Sequence, residues 1–268
     1  ARKQVTVALS GDGGDEFFCG YQMYQKLGQA QKLDAAGALI YGLSQLPGLK
    51  QANLLGRLPF SVRTIAQNRD KRYKTQLCSD KYLACVKSLT GTDQVRFDRE
   101  LDYHVKNWQI RRMLLDMDTY LPGDILCKVD RASMKYSLEA RCPILDQRVM
   151  EYSFRLPHSF KDHNGCQKYI LKEIAYDYIP RELLDRKKTG FSVPLDKWLR
   201  GPLKNKLTDY ASPAFLKQQG LFDADAASKL IADWLGAGDG GAYTGSNYSR
   251  IIWAFFIFQQ WAERYLQA

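Results

Sequence analysis

Residues 5–16, V-T-V-A-L-S-G-D-G-G-D-E, combine a strand pattern with a glycine-rich acidic loop. The first half of this stretch is a short run of apolar and β-branched residues, which predicts a buried strand. The second half is a loop of glycine and acidic residues, after which a helical pattern begins at Asp15. Ligands of open α/β sheets bind at the carboxyl ends of strands, so this loop is the first candidate site.

Almost all of the remaining sequence has helical periodicity. The segments predicted to be helical are 15–46, 79–89, 94–120, 123–137, 144–155, 166–178, 194–209, 223–235 and 247–266. No second strand is apparent, and a single strand cannot satisfy its own backbone groups. We therefore expect the strand to join a parallel sheet whose other strands lie upstream of Ala1, so that the chain begins within a domain.

Length and composition are those of a folded globular protein. The 268 residues are 45% hydrophobic and 25% charged, which excludes a disordered tail, a fibrous protein and a disulfide-rich miniprotein. The longest apolar run, residues 251–258, is far shorter than the roughly 20 residues that cross a bilayer. The first residues also lack the pattern of a signal peptide, so we expect no membrane partner.

The six cysteines indicate a reducing compartment, and we expect a cytoplasmic protein. None belongs to a C-x-x-C pair, and most lie in apolar stretches, where a free thiol acts as a small hydrophobic residue. The histidines His104, His158 and His163 stand at no metal-ligand spacing from a cysteine. The spacing therefore predicts no nitrogen–sulfur metal site and only oxygen ligands for a metal.

The net charge of +10 has its densest source in residues 57–74. The basic residues there are Arg57, Arg63, Arg69, Lys71, Arg72 and Lys74. Nucleic-acid binding needs aromatic residues among the basic ones for base stacking, and only Phe60 and Tyr73 lie nearby, so we expect no nucleic-acid partner. A polyanionic substrate or an acidic partner domain explains the charge better, and a solvated helical face is the alternative.

The acidic loop, residues 10–16, matches neither common phosphate-binding motif. It has no Gly-Lys-Ser/Thr, and Glu16 occupies the third glycine position of the dinucleotide fingerprint. The carboxylates of Asp12, Asp15 and Glu16 would repel a bare phosphate. Either Mg²⁺ bridges them to it, or one carboxylate handles an amine or a proton. Helix capping by Asp15 and Glu16 is an equally open alternative.

A second candidate is the basic loop R-K-K-T-G-F-S-V-P, residues 186–194. Lysine and arginine on a glycine-containing loop suit a phosphate or pyrophosphate, and an exposed basic turn is the alternative. The apolar segment at residues 248–261 predicts a helix packed in the core.

The block from Leu121 to Asp146 places charged residues among apolar ones. These are Asp124, Asp130, Arg131, Glu139, Arg141 and Asp146. Charges in apolar surroundings must pair, so we expect an internal ion-pair network between helices. Contact of Glu139 or Arg141 with substrate is the alternative.

Three blocks carry a resemblance to a known family. They are S-G-D-G-G-D-E-F-F-C-G-Y at residues 10–21, D-I-L-C-K-V-D-R-A-S-M with S-L-E-A-R-C-P-I-L-D between residues 124 and 146, and R-K-K-T-G-F-S-V-P-L-D-K-W-L at residues 186–199. With these motifs in this order, the chain resembles the C-terminal part of the synthetase domain of glutamine-dependent asparagine synthetases. The resemblance covers most of the chain, and residues 35–100 contribute least to it.

The resemblance implies an α/β fold of the ATP-pyrophosphatase type, related to adenine nucleotide hydrolases, of which this chain is a mostly α-helical part with an N-terminal parallel strand. It also implies a ligase that uses ATP and Mg²⁺. In such enzymes ATP adenylates the side-chain carboxylate of aspartate and releases pyrophosphate. Ammonia from a glutaminase domain, fused or separate, then displaces AMP to give asparagine. The oligomeric state stays open, with a homodimer among the alternatives.

The resemblance also implies roles for individual residues. Ser10 and Gly11 would lie against the nucleotide, and Asp12 would orient or deprotonate the attacking ammonia. Asp15 would bind Mg²⁺, and Lys188 would neutralise charge on the separating phosphates. These roles agree with the chemistry, because phosphoryl transfer builds negative charge that a lysine and Mg²⁺ stabilise, and a carboxylate can take a proton from an amine.

The chain departs from the family pattern in informative ways. Family members commonly have glutamate in place of Asp12 and glycine in place of Cys19. They also carry a pyrophosphate-binding Ser-Gly-Gly-x-Asp-Ser loop and an N-terminal cysteine nucleophile, and neither occurs in these 268 residues. We therefore interpret residues 1–268 as the C-terminal portion of a synthetase domain and expect the isolated chain not to make asparagine.

Two other functions stay open. The same scaffold serves related amidations and cyclisations through acyl-adenylates, including amidation of cell-envelope sugars, β-lactam formation and closure of lasso peptides. Alternatively, the chain is a non-catalytic helical module that binds an acidic partner through residues 57–74.

Overall fold

The computed structural model describes residues 1–51, 104–185, 193–237 and 246–266. These residues are mostly α-helical, as the sequence predicts, with four short strands among them. The chain divides into two compact units. The described part of the first unit is residues 1–51 and 104–185, and that of the second is residues 193–237 and 246–266. The predicted helix at 79–89 and the basic segment at 57–74 lie outside the described residues.

The elements are numbered among the described residues. The first unit contains β1 (Val7–Leu9), α1 (Gly14–Phe17), α2 (Gln22–Lys32), α3 (Asp34–Ser44), α4 (Pro47–Gln51), α5 (Trp108–Asp118), a π-helical turn (Leu121–Leu126), α6 (Cys127–Met134), β2 (Glu139–Arg141), a 3-10 turn (Pro143–Leu145), α7 (Gln147–Arg155), a second 3-10 turn (His158–Phe160), β3 (Asp162–His163), β4 (Cys166–Gln167), α8 (Tyr169–Ala175) and α9 (Arg181–Leu184). The second contains α10 (Leu195–Arg200), α11 (Lys204–Tyr210), α12 (Pro213–Gln219), α13 (Ala224–Gly236) and α14 (Ser246–Tyr265).

The N-terminal strand has a partner within the chain, which corrects the expectation that all its partners lie upstream. β1 pairs in parallel with β2, with Ala8 opposite Ala140. The backbone N–H of Ser10 extends the pairing by donating to the carbonyl of Arg141 at 2.8 Å. The sequence E-A-R of β2 has residue types that are depleted in strands and no apolar alternation, so its pattern gave no sign of a strand.

A second, two-residue pairing joins β3 and β4 in an antiparallel hairpin. Its turn is Asn164-Gly165, and both residues have positive φ, 51° and 85°. Asn-Gly is the residue pair that such tight hairpin turns favour, so this signal was present in the sequence. The hairpin shortens the helix expected at 166–178, which begins at Tyr169 as α8.

Two other predicted helices are interrupted. The helix expected at 15–46 is divided into α1, α2 and α3, and the first break falls at Gly20. A Cβ atom at Gly20 would lie within 3 Å of the side chains of Asp15 and Lys168, so a larger residue would have to displace this ion pair. The helix expected at 194–209 is broken between α10 and α11 by Gly201 and Pro202.

The first unit has a core that supports the N-terminal loop. Phe17 and Phe18 are buried with Leu121, and Ile144 and Leu145 pack against them. Because the two phenylalanines follow the loop directly, their burial fixes the position of the acidic residues that precede them.

The second unit has a larger apolar core, built around α13 and α14. The predicted core role of residues 248–261 is confirmed for Ile252, Phe255 and Phe256, which are fully or nearly buried, while Trp261 is 47% exposed. Trp234 of α13 packs in the same core. No helix in the described parts of the chain is long and apolar enough to cross a membrane.

Candidate active site

The acidic loop turns sharply at the carboxyl end of β1. Gly13 has a φ of 87°, in the left-handed region that favours glycine, and it precedes the first residue of α1. A Cβ atom at Gly13 would collide with the side chain of Leu145, which is part of the core beneath the loop. Glycine is therefore required here for both its backbone conformation and its lack of a side chain.

Asp12 is held by two donors that converge on one oxygen. The hydroxyl of Ser10 donates to Asp12 Oδ2 at 2.6 Å, and the thiol of Cys142 lies 3.7 Å from the same atom. Cys142 follows β2 directly, so the parallel pairing of β1 and β2 brings the thiol to the loop. Partial burial and the neighbouring Asp12 raise the pKa of Cys142, so the thiol stays protonated and can donate. The carboxylate of Asp12 is thus fixed at one oxygen.

Asp15 is paired with a lysine from a distant part of the chain. Lys168 Nζ lies 3.0 Å from Asp15 Oδ1, and the side chains are 32% and 24% exposed respectively. The backbone of Lys168 has a positive φ of 55°, and its N–H donates to the carbonyl of Phe18 at 3.1 Å. The lysine is therefore tied to the segment that follows α1, and it places a positive charge beside the loop.

Glu16, the last residue of the acidic loop, is buried. Its side chain is only 1% exposed and accepts a hydrogen bond from the hydroxyl of Tyr21 at 2.7 Å. Burial raises the pKa of Glu16, and the hydrogen bond opposes that shift without cancelling it. Asp15 and Glu16 both lie in the first turn of α1, so the alternative of a favourable interaction with the helix dipole agrees with the structure, although the N-cap is Gly13 and no side chain caps it.

A second buried carboxylate continues this polar layer. Asp116 accepts from the hydroxyl of Tyr24 at 2.8 Å and pairs with Arg112 at 2.9 Å. The rings of Tyr21 and Tyr24 meet edge to face, with centroids 5.5 Å apart. The acidic loop therefore rests on a hydrogen-bonded layer of tyrosines and charged groups.

The structure brings four of the five predicted site residues together. Ser10, Gly11, Asp12 and Asp15 lie on the loop between β1 and α1. Lys188 lies outside the described residues, as do residues 186–192 of the basic loop to which it belongs.

The internal ion-pair network predicted for residues 121–146 is wrong. Asp124 pairs with Lys128 at 2.7 Å, Glu139 with Arg141 at 2.7 Å and Asp146 with Arg148 at 2.9 Å, and the paired side chains are exposed. Each pair joins residues close in sequence instead of linking helices. The hydrogen bond from Arg148 lowers the pKa of Asp146 to about 2. The charged side chains of these pairs point into solvent while their apolar neighbours supply the packing, so no buried network is needed.

Sequence reasoning missed two residues that shape the site, Cys142 and Lys168. Cys142 was within a recognised motif, and its contact with Asp12 depends on the unexpected strand β2. Lys168 stands in a segment predicted to be helical, and no sequence signal marks its left-handed backbone. Both contacts arise from tertiary structure.

Comparison with known sequences places the chain in a family. The family model described as asparagine synthase matches residues 1–263. The chain belongs to the asparagine synthase family. The resemblance drawn from the three sequence blocks is thereby confirmed.

Individual members of the asparagine synthase family are similar over nearly the whole chain. Asparagine synthetase (glutamine-hydrolysing) 1 of Bacillus subtilis is 30% identical over 97% of this chain and 41% of its own length. A putative asparagine synthetase (glutamine-hydrolysing) of Mycobacterium tuberculosis is 29% identical over 97% of this chain and 40% of its own length. An amidase of Gibberella zeae is 22% identical over 85% of this chain and 38% of its own length. The chain thus spans about two fifths of the length of these relatives, and no solved structure matches it significantly.

Proposed function

We propose that the chain is the C-terminal portion of a synthetase domain that converts aspartate to asparagine through an acyl-adenylate. An oxygen of the aspartate side-chain carboxylate attacks the α-phosphorus of ATP, and pyrophosphate leaves. The nitrogen of ammonia, supplied from glutamine by a glutaminase domain, then attacks the activated carbonyl carbon, and AMP leaves. The observation that carries the proposal is the fixed carboxylate of Asp12 beside the Asp15–Lys168 pair, on the loop that follows β1 in a chain of this family.

Asp12 is proposed to act on the ammonia. Its Oδ2 is held by Ser10 and Cys142, so the carboxylate has one orientation and can present its other oxygen to the nucleophile. The attacking nitrogen must lose a proton as the amide forms, and a positioned carboxylate can accept it or hold the ammonium beforehand. Ser10 and Gly11 are proposed to lie against the nucleotide, where a Cβ atom at Gly11 would meet nothing within 4 Å.

Asp15 is proposed to bind Mg²⁺. Carboxylate oxygens are the ligands that this ion takes, and bound Mg²⁺ would supply charge neutralisation for the phosphates. In the structure Lys168 pairs with Asp15, so the ion would have to displace the ammonium from this carboxylate. Lys168 would exchange its partner for a phosphate oxygen when the ion takes its place. Lys188 is proposed to stabilise the charge on the separating phosphates, as a lysine can.

The proposed fold is that of an ATP-pyrophosphatase, with β1 and β2 as part of a larger parallel sheet. Parallel strands are normally covered on both faces and belong to sheets of several strands, which supports this placement. The relatives are more than twice as long as the matched region, which leaves room for the remaining sheet, its pyrophosphate loop and a glutaminase domain. The proposed partners are small molecules, without nucleic acid or membrane, and the proposed location is the cytoplasm.

The test is a panel of carboxylic acids in an ATP–pyrophosphate exchange assay. The protein that contains this chain together with its upstream region should exchange label with aspartate, and the 268-residue chain alone should not. Asparagine formation from glutamine should accompany the exchange. Exchange with another acid and none with aspartate would overturn the choice of substrate, and aspartate-dependent exchange by the isolated chain would overturn its assignment as an incomplete site.

A second candidate is amidation of another carboxylate through the same adenylate chemistry. It is favoured by the similarity to an amidase over 85% of this chain. The alternatives in the acid panel are therefore acidic cell-envelope sugars, β-lactam precursors and peptides with acidic side chains. The outcome of the panel separates this candidate from aspartate.

A further inference from the structure

A cluster of potential metal ligands lies in the first unit at residues the proposed reaction does not use. One donor atom from each of Cys19, His158 and Asp162 lies within 4.8 Å of the other two. Cys19 follows α1 and is fully buried, while His158 and Asp162 come from the 3-10 turn and from β3. The fold thus brings the thiol of Cys19 to an imidazole and a carboxylate that lie close to each other in sequence but far from Cys19. This revises the expectation, drawn from spacing alone, that the chain has no nitrogen–sulfur site.

Gln109 contacts all three groups. Its Nε2 donates to Asp162 Oδ2 at 2.9 Å and lies 3.6 Å from Cys19 Sγ, and its Oε1 is 3.0 Å from His158 Nε2. His158 therefore donates from Nε2, which leaves the lone pair on Nδ1. Nδ1 is buried and has no hydrogen-bond partner in the structure. The imidazole is held in the neutral form that binds metals, and its Nδ1 atom accepts no hydrogen bond.

The carboxylate is also oriented. Asp162 Oδ1 accepts a hydrogen bond at 3.1 Å from the backbone N–H of Gly165, which lies in the turn of the β3–β4 hairpin. Metal ligands in proteins are commonly fixed by such outer hydrogen bonds. The hairpin and Gln109 thus give Asp162 and His158 defined positions.

Cys19 occupies a backbone conformation that favours glycine. Its φ is 59°, in the left-handed region. A side chain in the left-handed region costs conformational energy, and glycine would avoid it. The chain has a buried thiol there instead, beside an imidazole and a carboxylate. A ligand role for the sulfur accounts for a residue that backbone geometry alone disfavours.

We propose that Cys19, His158 and Asp162 bind one zinc ion. Sulfur, nitrogen and oxygen donors together suit Zn²⁺, whereas Mg²⁺ takes oxygen ligands only. Donors of one tetrahedral zinc ion lie about 3.5 Å apart, so the cluster needs to contract by about 1 Å when the ion binds. Three protein donors leave a fourth position, which a water molecule would fill as in open zinc sites.

One charge nearby opposes the ion. Lys161 is 1% exposed, its ammonium interacts with Cys19, and its Nζ lies 4.4 Å from the ring centre of Phe154. Its positive charge repels a divalent cation. The thiolate and the carboxylate together balance the charge of the ion.

The test uses Co²⁺, which takes zinc sites and gives a thiolate-to-cobalt charge-transfer absorption in the near ultraviolet. The metal-free protein that contains this chain should develop this absorption with one equivalent of Co²⁺ and lose it when Zn²⁺ is added. Mg²⁺ should have no effect on it. Because the absorption requires a cysteine ligand, it does not report on Asp15, and it is independent of the proposed synthetase activity.

Cys19→Gly is the decisive variant, because glycine suits the positive φ and should keep the fold, checked by circular dichroism. It should abolish the absorption, whereas Cys142→Ser and Cys166→Ser should leave it unchanged. His158→Gln and Asp162→Asn should each weaken Co²⁺ binding at least tenfold, which gives a second route if Cys19→Gly unfolds. No charge-transfer absorption in the unmodified chain, or its persistence in folded Cys19→Gly, would overturn the proposal.

Discussion

The two compact units of this chain bury different kinds of side chain. All the buried charged residues in the described part of the chain belong to the first unit, and they are Glu16, Arg112, Asp116 and Lys161. The buried polar residues of the second unit, Ser249 and Gln259, are uncharged. Burying charge costs free energy unless it is paired and hydrogen-bonded. The first unit, which contains the acidic loop, buries these charges, whereas the buried polar side chains of the second unit are neutral.

The difference extends to how the polar groups are satisfied. In the first unit, tyrosine hydroxyls donate to carboxylates, as Tyr21 does to Glu16 and Tyr24 to Asp116. In the second unit, Gln219 and Gln259 bond to each other through their amides at 2.7 and 3.0 Å. Losing one member leaves a buried charge in the first unit and only a neutral amide in the second. The two units should therefore respond differently to the same kind of substitution.

The largest contrast should come from removing a tyrosine hydroxyl in each unit. Tyr24→Phe removes the hydrogen bond to buried Asp116 and should lower the free energy of unfolding by about 1.5–3 kcal/mol, the range for bonds to charged groups. Tyr210→Phe is the matched variant, because the hydroxyl of Tyr210 donates to Glu263, whose side chain is 55% exposed. Water can replace that partner, so the loss should be about 1 kcal/mol or less.

Urea unfolding followed by circular dichroism measures both variants. A Tyr210→Phe loss as large as that of Tyr24→Phe would remove the distinction between the two units. Equal and small losses would mean that Asp116 is satisfied by Arg112 alone.

The pH dependence of stability should show a smaller effect at Glu16. Its pKa is raised above the ordinary value of 4.5 by burial. The stability that Glu16 contributes is therefore fully present below about pH 4.5, and it is lost as the pH rises through the higher pKa of the folded state. Glu16→Gln lacks this dependence, so it should gain stability relative to the unmodified chain between acidic and neutral pH. Unfolding measured across that range gives the difference.

Asp146→Asn is a control of opposite sign. The hydrogen bond from Arg148 lowers the pKa of the Asp146 carboxyl to about 2. The stability that Asp146 contributes is therefore present above the ordinary pKa of 3.8 and is lost as the pH falls towards 2. The variant should therefore lose stability relative to the unmodified chain at neutral pH and match it in strong acid. Glu16→Gln behaving in the same way as Asp146→Asn would contradict the burial of Glu16.

Local patterns in the sequence predicted the features that depend on local residues. The apolar run before Ser10 marked a strand, and the apolar segment at 248–261 marked a core helix. Each of these signals is contained in a few consecutive residues. The family was also accessible, because its motifs are long and occur in a fixed order.

Features that depend on distant residues were not predicted. β2 forms because its backbone meets β1, although its residues have no strand pattern. The pairing of Asp15 with Lys168 and the contact of Asp12 with Cys142 follow from tertiary structure. The ion-pair prediction was wrong because a list of residues does not show which side chains point into solvent. The charge on Asp124, Glu139 and Asp146 is satisfied by near neighbours in sequence.

Asp12→Asn separates the two steps of the proposed reaction, because Asp12 is proposed to act on ammonia only after the adenylate has formed. The protein that contains this chain with its upstream region should keep aspartate-dependent ATP–pyrophosphate exchange in this variant, because the first step does not need the carboxylate. Asparagine formation should fall by about 10²–10⁴-fold, the usual loss when a proton-transfer group is removed. Equal loss of exchange and asparagine formation, or loss of neither, would contradict the assigned role.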